Sequence, residues 1–103
     1  MLEATEKVAV FIQGMTRDGF LTDEKTQYAV VRGLEIIGEA AKKIPGEVKA
    51  KHPSIPWREI SGMRDKLVHD YFGVNAAVVW KTAIDDLPRI ADALRRILHQ
   101  PTT

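Results

Sequence analysis

Arg64-Asp-Lys-Leu-Val-His69-Asp-Tyr71 places an arginine, a histidine and a tyrosine within eight residues. Those three types together can handle a phosphodiester. Arginine is a permanent planar cation able to grip a phosphate with two parallel hydrogen bonds. Histidine has an unperturbed pKa close to working pH, so it can both take and give a proton. Tyrosine offers a hydroxyl and a flat face on which a base can stack. Asp65 stands four residues before His69, one helical turn away, where it can orient the imidazole through one ring nitrogen.

Helical geometry restricts how these groups can meet. At about 100° per residue, Arg64 and Tyr71 lie on nearly one face, but His69 is about 140° round from Arg64. One straight helix does not aim Arg64 and His69 at a single small target. Either the helix loosens towards Gly73, or two copies face each other across a two-fold axis and line one groove. Metal-free RNA cleavage favours the second arrangement. The ribose 2′-hydroxyl must lose a proton and the 5′ leaving oxygen must gain one, and a two-fold axis supplies two imidazoles. Each such transfer is worth about 10²–10⁴-fold, with Arg64 stabilising charge on the phosphorane.

Spacing alone is weak evidence, because Arg-x4-His occurs by chance in many helices. Arg64 pairing with Glu35 or Glu39 and a buried His69 would make the segment structural. Asp65 and His69 as metal ligands lack a third partner at convincing spacing, so no metal and no cofactor is expected. Trp57 and Trp80 read as core or interface anchors, His52 as a connector residue, and His99 as a complement to a helix dipole.

The elements around the motif read as helical throughout. Thr22, Asp23 and Glu24 form a cap and first turn. Val30, Leu34, Ile37, Ala41 and Ile44 follow at spacings of 4, 3, 4 and 3, one stripe of a helix over about 23–44 that Pro45-Gly46 stops. A shorter helix from Leu2 to Gly14 has Val8, Phe11, Ile12 and Met15 as its apolar side, and Gly14 to Leu21 is a connector. Glu47–Lys51 is a short helical turn. His52-Pro-Ser-Ile-Pro56 is a stiff connector, and Pro56 opens the motif helix, which continues through Ile60, Met63, Leu67 and Tyr71 to Gly73. Asn75 caps a final helix to about Leu98 with Val78, Val79, Ala83, Leu87, Ile90, Leu94 and Ile97 or Leu98 inward. Pro88 implies a kink near Ile84–Asp85. Gly38 and Gly62 are candidate points of close helix or subunit crossing. The chain is expected to form a single domain over 1–99 with a frayed tail at 100–103.

The 103 residues contain no cysteine, which removes disulfides and thiol chemistry. No apolar run reaches the roughly 18 residues a membrane span needs, and no secretory leader pattern opens the chain, so a cytoplasmic protein is expected. The net charge is +1, yet seven Lys and Arg against three acids lie between Lys42 and Lys66. Such a local basic surface would concentrate a polyanion, unless it is only a solvated helix face.

Four blocks in order carry more than spacing does: Leu34-Glu-Ile-Ile-Gly-Glu-Ala-Ala-Lys42, His52-Pro-Ser-Ile-Pro-Trp-Arg-Glu-Ile60, Gly62-Met-Arg-Asp-Lys-Leu-Val-His-Asp-Tyr-Phe-Gly73, and Val79-Trp80 with Asp86-Leu-Pro88. This series resembles the HepT branch of the HEPN superfamily over about Phe20–Leu98. The N-terminal helix is shorter than is usual there. The resemblance implies an all-α bundle of four to five helices, homodimeric, with the motif at the subunit interface. It implies an endoribonuclease toxin of a toxin–antitoxin pair, with Arg64 and His69 catalytic. The partner it implies is an MntA-like minimal nucleotidyltransferase antitoxin able to attach adenylate to Tyr71. The alternative it leaves open is a non-catalytic substrate- or partner-binding subunit of a nucleotidyltransferase.

Overall fold

In the computed structural model, which describes residues 1–62 and 75–98, the chain runs through α1 (Leu2–Ile12), α2 (Arg17–Leu21), α3 (Glu24–Lys43) and α4 (Gly46–Lys51). It continues in α5 (57–62 among the described residues), α6 (Ala76–Lys81), a π-helical turn (Thr82–Asp86) and α7 (Leu87–Leu98). The fold is all-α, with no strand among the described residues. His99, the tail and everything from Met63 to Val74 lie outside those residues.

The longest helix begins and ends where its sequence signals stand. The Asp23 carboxylate accepts from the Thr26 N–H at 3.1 Å and from the Thr26 hydroxyl at 2.7 Å, satisfying one of the orphan amides of the first turn. Lys42 and Lys43 occupy the last turn, and Ile44 leaves the helix in extended conformation ahead of Pro45. The buried face of α3 comprises Val30, Val31, Gly33, Leu34, Ile37, Gly38 and Ala41.

Two features at the N-terminal side differ from the sequence expectation. The connector contains the short helix α2, held by the Thr16 hydroxyl, which accepts from the Gly19 N–H at 3.0 Å, and by the Gln27 amide, which donates to the Phe20 carbonyl at 2.8 Å. It carries Phe20 into the core, where its ring lies 5.2 Å from that of Trp80. The inward side of α1 is Ala4, Thr5 and Val8, while Phe11 is 43% exposed. A Cβ built on Gly33 would stand 2.5 Å from Val8 Cγ2, so α1 and α3 touch closely at Val8; Ile12 and Met15 pack against the core as expected, and Phe11 is the one member of the stripe left exposed. Gly62, a candidate for a helix or subunit crossing, meets nothing within 4 Å among the described residues of this chain. Between α1 and α2, Gly14 adopts φ +76° with open space around it.

The interruption implied by Pro88 takes the form of the π turn. Leu87 N–H donates to the Thr82 carbonyl, five residues back. Proline has no amide to donate to Ile84, and the widened turn moves it to the second position of α7, where a missing amide is tolerated. Ala83, Leu87, Ile90 and Leu94 face inward, as the stripe requires; Ile97 rather than Leu98 packs against the core, and Trp80 is buried as the anchor reading expects.

Candidate functional site

Arg64, Asp65, His69 and Tyr71 lie outside the described residues, as do Met63, Leu67 and Gly73. What the structure defines is how the chain is anchored before and after them. On the approach, the His52 carbonyl accepts from the Ile55 N–H at 3.2 Å and from the Trp57 indole N–H at 3.0 Å. The connector therefore folds back on itself and fixes the indole, consistent with Trp57 as an anchor. Ile60 N–H donates to the Pro56 carbonyl at 3.0 Å, closing the first turn of α5. Ile55 and Ile60 are 2% and 0% exposed. Burying a side chain of this kind is worth about 1.5–3 kcal/mol, so the entry to the motif helix is held by two core residues on either side of a proline.

On the return, the Asn75 carbonyl accepts from the Val78 and Val79 amides at 2.9 and 3.3 Å. Asn75 occupies the N-cap position of α6, but its side chain makes no capping bond. Val79 and Trp80 are buried immediately afterwards, and α6 packs on α2 and α3. The segment that carries the candidate residues is thus bracketed by core-anchored helices.

Charges near the long helix are partly accounted for. Glu35 lies 3.3 Å from Arg32 one turn earlier. Among the described residues no group of three or more His, Asp and Glu side chains could hold a metal ion, and no helix there is long and apolar enough to cross a membrane.

An all-helical bundle with a motif segment suspended between buried anchors defines a class before it defines a protein. Similarity to known proteins sharpens that class. The family model described as Ribonuclease HepT-like matches residues 1–97, and this chain belongs to that family. It is 50% identical over 95 residues to the protein named probable ribonuclease HepT of Thermococcus cleftensis, covering 92% of this chain and 86% of the relative. It is 41% identical over 100 residues to a protein named as an RNase candidate in Caldanaerobacter subterraneus subsp. tengcongensis, covering 97% of this chain and 89% of the relative. A third relative so named, from Methanocaldococcus jannaschii, is 44% identical over 98 residues, covering 95% of this chain and 81% of the relative. No solved structure matches the chain.

Proposed function

We propose that this protein is a metal-independent endoribonuclease acting as a homodimer. The observation that carries the reading is the match of residues 1–97 to a ribonuclease family, in a chain that holds Arg64, His69 and Tyr71 in one segment. Arg64 stabilises the charge that builds on the phosphoryl oxygens. His69 of one copy takes the proton from the ribose 2′-hydroxyl, and the 2′-oxygen bonds to phosphorus. The bond from phosphorus to the 5′-oxygen breaks, and His69 of the second copy protonates the leaving oxygen. The products are a 2′,3′-cyclic phosphate and a 5′-hydroxyl. Asp65 orients the imidazole, and Tyr71 binds phosphate or stacks on a base.

The same reading makes the protein the toxin of a toxin–antitoxin pair in the cytoplasm. A nucleotidyltransferase antitoxin silences it by placing adenylate on Tyr71. The modification adds phosphate charge in the groove meant for RNA and draws Arg64 to itself.

The test is cleavage of RNA by the purified dimer in excess chelator. The expected result is cutting with cyclic-phosphate ends, lost in His69→Ala. Undiminished cutting by His69→Ala overturns the catalytic assignment. No cutting by the unmodified protein at any pH, with a stable complex with a nucleotidyltransferase, favours a binding subunit instead.

A further inference from the structure

The cations among the described residues differ in their company. Lys7, Arg32, Arg89 and Arg95 each lie beside a carboxylate: Glu3 at 3.4 Å, Glu35 at 3.3 Å, Asp86 at 2.9 Å and Asp92 at 3.2 Å. Lys43, Lys49, Lys51 and Arg58 have no ion pair among the described residues. Their placement is local. Lys43 ends α3, Lys49 and Lys51 end α4, and Arg58 stands in the first turn of α5. Neighbours of these cations, Ile44, Val48 and Trp57, line one shallow apolar groove of about 260 Å³, whose other wall is the start of α1 and the last turns of α7.

Two accounts of such a cluster can be weighed. Lysines in the last turn of a helix complement its dipole, which covers Lys43, Lys49 and Lys51. It does not cover Arg58, which sits at the positive end of α5, where a cation is unfavourable. Only Glu47 and Glu59 lie in the same stretch of sequence as the four cations. Arg17, Lys25, Lys81 and Arg96, elsewhere on the chain, are accompanied in sequence by Asp18, Asp23, Glu24, Asp85 and Asp92, so they carry no comparable excess. The excess positive charge is therefore concentrated at the end of the bundle that feeds the motif helix. Arg58 precedes Arg64 by six residues, a chain length that spans at most about 22 Å in any conformation. Arg58 thus lies within a few nucleotides' reach of Arg64.

We propose that Lys43, Lys49, Lys51 and Arg58 form a phosphate-holding track for single-stranded RNA on either side of the bond to be cut. The proposal rests on the ribonuclease reading and extends it from the reacting groups to the substrate's backbone. Recognition of this kind is electrostatic and indifferent to sequence. It raises the local concentration of RNA and leaves the chemical step to the motif.

The test uses the full chain carrying His69→Ala, to prevent cutting, and a fluorescein-labelled single-stranded oligoribonucleotide titrated by anisotropy at several salt concentrations. Combined Lys43→Gln, Lys49→Gln, Lys51→Gln and Arg58→Gln should weaken binding at low salt by about tenfold or more. The slope of log K against log salt should shrink by about 0.7 for each phosphate that the protein no longer neutralises. The control set Arg17→Gln, Lys25→Gln and Lys81→Gln should change neither, and circular dichroism should show equal helicity in all three proteins. In the cleavage-competent chain, where His69 is retained, the quadruple substitution should raise KM for RNA and leave kcat at saturation unaltered. An unchanged affinity and slope in the quadruple variant overturns the track, including the case where it loses an acidic protein partner instead. Binding that needs the four cations, in a chain that never cuts RNA, upholds the track and refutes the nuclease reading. Normal cutting with an unchanged slope does the reverse.

Discussion

Val8 Cγ2 occupies the space that a side chain on Gly33 would need, 2.5 Å from the ideal Cβ position. Val8 is fully buried and Gly33 lies on the buried face of α3, so neither helix can yield without opening the core. Alanine at a helix interior is worth about 1 kcal/mol over glycine, but overpacking costs about 1–3 kcal/mol. Gly33→Ala should therefore lower unfolding stability by up to about 2 kcal/mol in urea titrations. Adding Val8→Ala should recover part of the loss. A Gly33→Ala protein as stable as the parent would show that the crossing relaxes freely.

Phe20 and Trp80 join α2 to α6, with ring centroids 5.2 Å apart and planes tilted by 36°. Phe20→Ala should cost about 3–5 kcal/mol, the usual loss for a buried ring, with Phe20→Leu costing clearly less. Because α6 anchors the return from the motif segment, partial loss of ribonuclease activity should accompany Phe20→Ala at temperatures well below its melting midpoint. Denaturant titration and RNA cleavage on the same preparation separate the two effects.

The Asp23 carboxylate is held below its ordinary pKa of 3.8, first by the Thr26 hydroxyl, then by the Thr26 amide, with Lys25 adding a smaller attraction against a small opposing effect of burial. A depressed folded pKa stabilises the fold above the unfolded value, and that contribution is lost as pH falls through the folded one. Between neutral pH and about pH 5 the contribution of Asp23 should be constant, since both values lie below that range. Below the ordinary carboxylate range it should fade. Asp23→Asn should lower Tm at neutral pH and flatten this part of the acid limb. Parallel Tm-against-pH curves for the two proteins would refute the role.

Arg64 and His69 are proposed to act from two copies in one groove. Arg64→Ala should reduce kcat by about 10²–10³-fold, the scale for removing one transition-state donor. Arg64→Lys should recover little, because lysine lacks the planar two-pronged donor. Mixing parent and His69→Ala chains under subunit exchange should give mixed dimers with little activity, because the groove then holds one imidazole of the two. Mixed dimers that keep half of the parent activity after verified exchange would count against a shared groove.

The long helix is legible in the sequence because its boundaries are local chemistry. Asp23 with Thr26 at one end and Pro45 after Lys43 at the other leave little choice. The π turn is legible as a disturbance, since Pro88 removes a donor wherever it is placed, but its form depends on how α6 and α7 both reach the core. The exposure of Phe11 escapes a reading by hydrophobicity, which ranks Phe11 above Ala4, whereas it is Val8 that makes the close contact with Gly33. Helix α2 escapes it too, because five residues carry too little periodicity. Its signal is Thr16 three residues before Gly19. Of the candidate site, the residue types and their order from Arg64 to Tyr71 are legible. The shared surface proposed for them is not, since meeting across a two-fold axis would be a property of an assembly rather than of spacing along one chain. The basic run is legible as a count, and the coordinates add that Lys43, Lys49, Lys51 and Arg58 make no ion pair among the described residues.

Gly14, in its left-handed turn with open space where a side chain would stand, has a practical consequence. The peptide between α1 and α2 is the place where the chain can be rerouted. An added loop, an affinity tag or a new pair of termini would give up the single Met15-to-Ile12 backbone hydrogen bond that spans the turn and leave the buried helices in place. The proline-braced connector at 52–56 is the opposite case, because Ile55 and the Trp57 indole lock it to the bundle. Anyone building a split or circularly rejoined form of this protein should open it at Gly14 and leave the approach to the motif helix intact.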